Sequence, residues 1–155
     1  MARIWGSFIG LAVTGAIAGG SAQASQFCAD VARAMVAAET DKMPAADLKF
    51  GLPGALDKYA SCSFSKDLSG ARSTNCSWVF PYRSAAAEQA FGQAVDALSA
   101  CADPSVDIVT DQQVNHPDSF DLRLLRTADG EVSVSIKDKA ERRSTYIFLR
   151  TTPLD

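Results

Sequence analysis

Four cysteines constrain the fold of this 155-residue chain, because they all follow an N-terminal stretch of the kind that directs export. They are Cys28, Cys62, Cys76 and Cys101. Four cysteines in an exported domain indicate two disulfides, which can be connected in three ways. The alternative is that they are four buried free thiols. Two disulfides would hold helices against a sheet, which is a structural role and not a catalytic one.

The N-terminal stretch has the three parts of a secretory signal peptide. Arg3 supplies the positive end, residues 4–18 are apolar, and a small-x-small exit ends at Ala24. The apolar run is short for a membrane span, which needs about 20 apolar residues. The sequence therefore predicts a signal peptide at residues 1–24 and a single exported domain at residues 25–155. We expect this domain to be periplasmic or secreted, with no stable membrane insertion after cleavage.

The charge balance argues against two classes of partner. The whole chain has 15 basic and 18 acidic residues, which is a net charge of −3. Cleavage of the leader would remove one basic residue, Arg3, and no acidic residue, so the mature domain would have a net charge of −4. Nonspecific nucleic-acid binding needs a basic face that neutralises phosphates, so we expect no nucleic-acid partner. The same mild acidic excess argues against electrostatic binding to a membrane surface.

The spacing of apolar residues predicts a mixed α+β domain. Helical spacing predicts helices over residues 26–38 and 85–101. Alternation of apolar and polar residues predicts strands, over residues 58–66, 73–82, 120–124, 132–136 and 146–150, with residues 106–109 as a possible further strand. Asp129-Gly130 is a strong hairpin signal, so the last three strands should form an antiparallel meander. The predicted fold is an antiparallel sheet of about five strands, with two disulfide-stapled helices on one face.

The reach of the chain ranks the possible disulfide pairings. The strand after Cys76 extends for roughly 23 Å at about 3.3 Å a residue. The helix that ends at Cys101 is roughly 26 Å long at about 1.5 Å a residue. If that helix doubles back on its strand, Cys76 and Cys101 meet at the same height, which leaves Cys28 to pair with Cys62. The rival arrangement joins Cys62 to Cys76 across a hairpin, and Cys28 to Cys101 between the helices.

Candidate catalytic residues are few. His116 is the only histidine, and Asp118 and Asp121 follow it closely. A small hydrolase that uses His116 with one of these carboxylates is the enzymatic alternative, but closeness along the chain does not make a triad. A turn residue with a satisfied ring is the plainer interpretation of His116. The sequence contains no nucleophile-elbow, Cys-x-x-Cys or zinc-protease pattern, so we predict no cofactor and no metal site, and we favour a non-enzymatic protein.

One face of the C-terminal meander is the main candidate for a binding surface. If Leu122 and Leu124 face the core, the opposite face carries the following residues: Arg123, Leu125, Ser133, Ser135, Tyr146, Phe148 and Arg150. Aromatic side chains beside arginines and small hydroxyls are typical of protein-contact surfaces. The plainer alternative is that a loop or the first helix covers Tyr146 and Phe148.

These observations together predict a small exported binding module. Its partner would be another protein or a component of the cell envelope. An inhibitor or immunity protein against an exported toxin is a further alternative, which differs only in the identity of the partner. The oligomeric state does not follow from the sequence.

Overall fold

Each of two helices is followed by four strands in a computed structural model that describes residues 19–40, 50–102, 106–115 and 118–154. The elements, in chain order, are α1 (Gly19–Thr40), β1 (Gly51–Leu52), β2 (Ala55–Tyr59), β3 (Ser61–Lys66), β4 (Arg72–Pro81), α2 (Ala85–Ala100), β5 (Ile108–Asn115), β6 (Asp118–Thr127), β7 (Gly130–Lys139) and β8 (Ser144–Pro153). A short 3-10 turn, Ala140–Arg142, connects β7 to β8.

Most of the described strands belong to one antiparallel sheet. Its six strands follow the order β3-β4-β8-β7-β6-β5, and β1 pairs with β2 in a separate ribbon. β5 to β8 form a continuous meander, and β8 joins this meander to the β3–β4 hairpin by pairing with β4. The predicted α+β class and the antiparallel meander are confirmed, although the described part of the main sheet has six strands and not about five.

Both helices pack on the same face of the main sheet. α1 contacts α2, β4 and β8, while α2 lies chiefly over β7. The centre of this layer is Trp78, which is 1% exposed and meets the ring of Phe50 edge to face at 6.3 Å. Phe50 in turn meets Phe27 of α1 at 6.5 Å. Burial of the apolar stripe of each helix against alternating strand residues supplies the main driving force for this packing.

The disulfides connect Cys28 to Cys101 and Cys62 to Cys76, so the first-ranked pairing is wrong and its rival is the one observed. β3 and β4 form a hairpin in which Cys62 lies directly opposite Cys76, with their Cα atoms 4.0 Å apart. Directly opposed residues of an antiparallel pair are close enough for a disulfide. The lateral position of α2 explains the difference, because α2 contacts β7 more extensively than its own strand β4.

The largest differences from the predicted elements are in the first helix and in the first predicted strand. The predicted strand over residues 58–66 is interrupted at Ala60. The parts before and after it belong to β2 and β3, which lie in different sheets. The first helix begins at Gly19 and not near residue 26, so it includes the predicted cleavage position after Ala24. Neither of the described helices combines the length and the apolar character that a membrane span requires.

Candidate functional site

The face of the main sheet opposite the helices carries partly exposed apolar and aromatic side chains. The strand register places one row of side chains from β4, β6, β7 and β8 on this face. We call this surface the open face, and its central members are Val79, Phe120, Leu122, Leu124, Ser133, Ser135, Lys137, Tyr146, Phe148 and Arg150. Neither described helix covers it, because the residues that α1 and α2 bury belong to the alternate row.

Two aromatic rings form the centre of the open face. Tyr146 and Phe148 lie two residues apart on β8, and their rings stack at 5.7 Å with an interplanar angle of 9°. Ser135 is opposite Phe148 in the register and is small enough to leave the ring partly accessible. On the neighbouring strand β4, Val79 is paired with Tyr146 and is 52% exposed. Rigid aromatic side chains of this kind supply contact area at a low entropic cost.

Basic side chains flank the stacked pair. Lys137 is opposite Tyr146 in the register, and its ammonium group lies 5.8 Å from the ring centre of Phe120. Arg150 follows Phe148 on the same face and is exposed. The whole chain has a net charge of −3, so the centre of the open face is locally basic in an acidic protein. This contrast gives the surface an electrostatic preference for acidic groups.

Arg123 does not belong to the open face, so its assignment there was wrong. The register pairs it with Val134, which is buried on the helix side of the sheet. Its guanidinium lies 5.8 Å from the ring centre of Phe91 in α2 and forms an ion pair with Asp121. Arg123 therefore helps to attach α2 to the sheet.

β6 is turned the opposite way from the prediction, and the sequence around Leu124 explains why both orientations were open. Leu124 and Leu125 are adjacent, so an apolar residue is available for the core whichever way the strand is turned. The register turns Leu125 inwards, where it is 1% exposed, and leaves Leu122 and Leu124 on the open face. A shift of one residue exchanges all the side chains of a strand between the two faces. The sequence prediction used the other alternative.

The catalytic candidates do not come together into an active site in the described part of the chain. His116 lies outside the described residues, as does the side chain of Asp118, which begins β6. The carboxylate of Asp121 accepts a hydrogen bond from Gln112 at 2.9 Å in addition to its ion pair with Arg123. Among the described residues, no group of three His, Cys, Asp or Glu side chains is arranged to hold a metal ion.

A buried carboxylate organises the turn that leads into α2. Asp138 is 6% exposed and accepts hydrogen bonds from the Thr145 hydroxyl at 2.6 Å and from Arg83 Nε at 3.0 Å. The backbone N–H of Arg83 donates to the Thr145 hydroxyl at 2.8 Å, which fixes Arg83 in its left-handed conformation with φ 50°. The next residue, Ser84, caps α2 by accepting from the N–H of Ala87. These contacts assign the cluster a structural role.

No known protein family matches this sequence, and no curated protein is similar to it. A functional proposal for this chain therefore depends on its sequence and its structure. Five of the seven residues predicted for this face lie on the open face, namely Ser133, Ser135, Tyr146, Phe148 and Arg150, whereas Arg123 and Leu125 lie on the helix side. The prediction missed Val79, Phe120 and Lys137. The alternation of side chains along a strand places them on the open face, but only when the register of each strand is also known.

Proposed function

We propose that the protein is an exported binding module that recognises an acidic, partly apolar segment of another protein through the open face. The observation that carries the proposal is the stacked pair of Tyr146 and Phe148, flanked by Lys137 and Arg150, on a face that neither described helix covers. Aromatic residues and arginine are the side chains most enriched at protein–protein contacts. The export-type residues 1–24 and the two disulfides support action outside the cytoplasm.

Charge favours a different protein over a second copy of this chain as the partner. Two open faces packed together would bring Lys137 and Arg150 of one copy into the same interface as those of the other. Like charges in one interface oppose association, whereas acidic side chains on a partner would pair with both residues. An inhibitor or immunity protein would use the same surface in the same way. None of the described contacts favours the hydrolase alternative.

A selection of peptides from a random displayed library tests this proposal. The full chain should enrich peptides that combine apolar and acidic residues. The double variant Tyr146→Thr/Phe148→Thr should bind them at least about tenfold more weakly, because it removes the central aromatic contacts. Threonine keeps the β-propensity of the strand, so the fold should persist.

Two further variants make this test specific. The double variant Lys137→Glu/Arg150→Glu should select basic peptides in place of acidic ones. Leu68→Ser is the matched control, because Leu68 is a fully exposed apolar residue in the β3–β4 turn, away from the open face. Unchanged affinity in the folded aromatic variant, or an unchanged peptide preference after charge reversal, would exclude the open face as the binding site.

A further inference from the structure

A cleft on the helix side of the sheet is a second candidate site, separate from the open face. It has a volume of about 730 Å³ and lies between α1, the end of α2 and the β6–β7 hairpin. Leu98, Leu125 and Val132 line it and are almost fully buried, and apolar side chains of α1 line it on another side. Sites for small molecules in proteins are typically clefts of about 300–1,000 Å³ with mainly apolar linings.

The two ends of the cleft differ in polarity. The Cys28–Cys101 disulfide lines one end, and the carboxylate-bearing residues Glu39 and Asp129 line the other. α1 rises by roughly 16 Å between Cys28 and Glu39, at about 1.5 Å a residue. The tip of the hairpin lies at the same end as Glu39, since a side-chain carbon on Gly130 would stand 3.1 Å from Met35 Cε. The lining is therefore apolar along the helix and acidic where the helix ends.

A recess with basic side chains adjoins the acidic end. It has a volume of about 370 Å³, and Glu39, Lys66 and Arg72 line it, so that Glu39 borders both cavities. The guanidinium of Arg72 donates a hydrogen bond to the backbone carbonyl of Glu39 at 2.9 Å, which fixes the position of the cation beside the end of α1. Two carboxylates and two cations therefore surround the place where the apolar lining ends.

We infer that the cleft binds a single-chain amphiphile with a zwitterionic head, of the lysophospholipid type. The aliphatic chain lies along α1, towards the disulfide. The ammonium group of the head pairs with Glu39 and Asp129, and the phosphate pairs with Lys66 and Arg72. A head with only one of these charges would meet like charges from one of the two pairs of side chains.

Calorimetric titration of the oxidised full chain tests this inference, with dodecylphosphocholine below its micelle-forming concentration as the probe. We expect saturable binding of one molecule per chain. Affinity should rise by about fourfold for each methylene added from octyl to dodecyl, which is the transfer free energy of a buried methylene expressed as a ratio. Dodecylammonium and dodecanoate should both bind more weakly than the zwitterion.

Two tryptophan variants of α1 locate the site. Ala32 lines the cleft and Ala29 does not, although both are exposed residues of the same helix. Ala32→Trp should weaken binding by more than about tenfold, because the indole displaces several methylenes at about fourfold each. Ala29→Trp should leave the affinity unchanged. Equal affinities for these two variants, or no binding at all, would overturn the site, and equal affinities for the three heads would overturn its zwitterionic preference.

Discussion

Removal of the Cys28–Cys101 disulfide should destabilise the protein more than removal of Cys62–Cys76. The two bonds close loops with sequence separations of 73 and 14 residues. In the chain-entropy treatment, a disulfide raises the free energy of unfolding by restricting the unfolded chain, and it does so more for a longer loop. The two loops correspond to about 4.4 and about 3 kcal/mol.

The two loops are nested, which lowers the contribution of each disulfide in the presence of the other but leaves the difference between the two variants unchanged. Closing the inner loop shortens the outer one from 73 to 59 residues, the difference between the two separations. The contribution of Cys28–Cys101 then falls to about 4.2 kcal/mol, since the loop term depends on the logarithm of length. The contribution of Cys62–Cys76 falls by the same amount when Cys28–Cys101 is present, so the expected difference between the two variants stays at about 1.4 kcal/mol.

Urea unfolding of the Cys28→Ala/Cys101→Ala and Cys62→Ala/Cys76→Ala variants measures this difference. Cys76 is 1% exposed, so its replacement also removes buried contacts, and the same substitutions compared under reducing conditions measure that separate loss. The urea dependence of the free energy should also rise more for the variant without Cys28–Cys101, because its unfolded chain expands further. After the correction, an equal or larger loss for the Cys62–Cys76 variant would refute the loop-entropy reasoning.

Two smaller perturbations test local contacts. Asp138→Ala should lower the free energy of unfolding by about 1–3 kcal/mol in urea titrations, because it leaves the buried Thr145 hydroxyl without its acceptor. An unchanged midpoint would contradict the structural role of this carboxylate. The hydrogen bond from the Ser69 hydroxyl, aided by backbone N–H groups of the turn, holds the pKa of Asp67 below its usual value. The contribution of this turn to stability is therefore present above the unfolded pKa and is lost as pH falls through the folded pKa. Ser69→Ala should raise the pKa of Asp67 in an NMR titration, and an unchanged pKa would exclude this hydrogen bond as the cause.

The sequence predicted those elements whose patterns are local. α2 was predicted over residues 85–101 because its apolar stripe is regular, and the structure has it at Ala85–Ala100. The hairpin was predicted from Asp129-Gly130, and the structure has it one residue earlier, with the turn at Ala128-Asp129 and Gly130, at φ 151°, as the first residue of β7. The orientation of β6 was not fixed in this way, because Leu124 and Leu125 satisfy both alternatives. Only the register with β7 decides between them.

The disulfide pairing and the cleft depend on lateral packing, which local patterns do not contain. Chain reach limits how far along a strand a helix can return, but it does not say which strand the helix covers. The cleft combines α1, the end of α2 and the β6–β7 hairpin, whose lining residues extend from Cys28 to Val132. No single segment of the sequence contains all the residues that line the cleft. Their apolar members therefore cannot be told from ordinary core residues until the fold is known.

The arrangement of the helices and the sheet supports the open face as the binding surface that we propose. Both disulfides lie on the helix side, where Cys28–Cys101 fixes α1 to α2 and Cys62 packs against the core with Cys76. An antiparallel sheet with one solvated face ordinarily carries polar side chains there. This sheet carries the partly exposed side chains of Leu122 and Phe148 there instead, and a patch of apolar side chains on a surface favours aggregation. The partner that we propose would bury these apolar side chains, which a purely structural role for the sheet does not require.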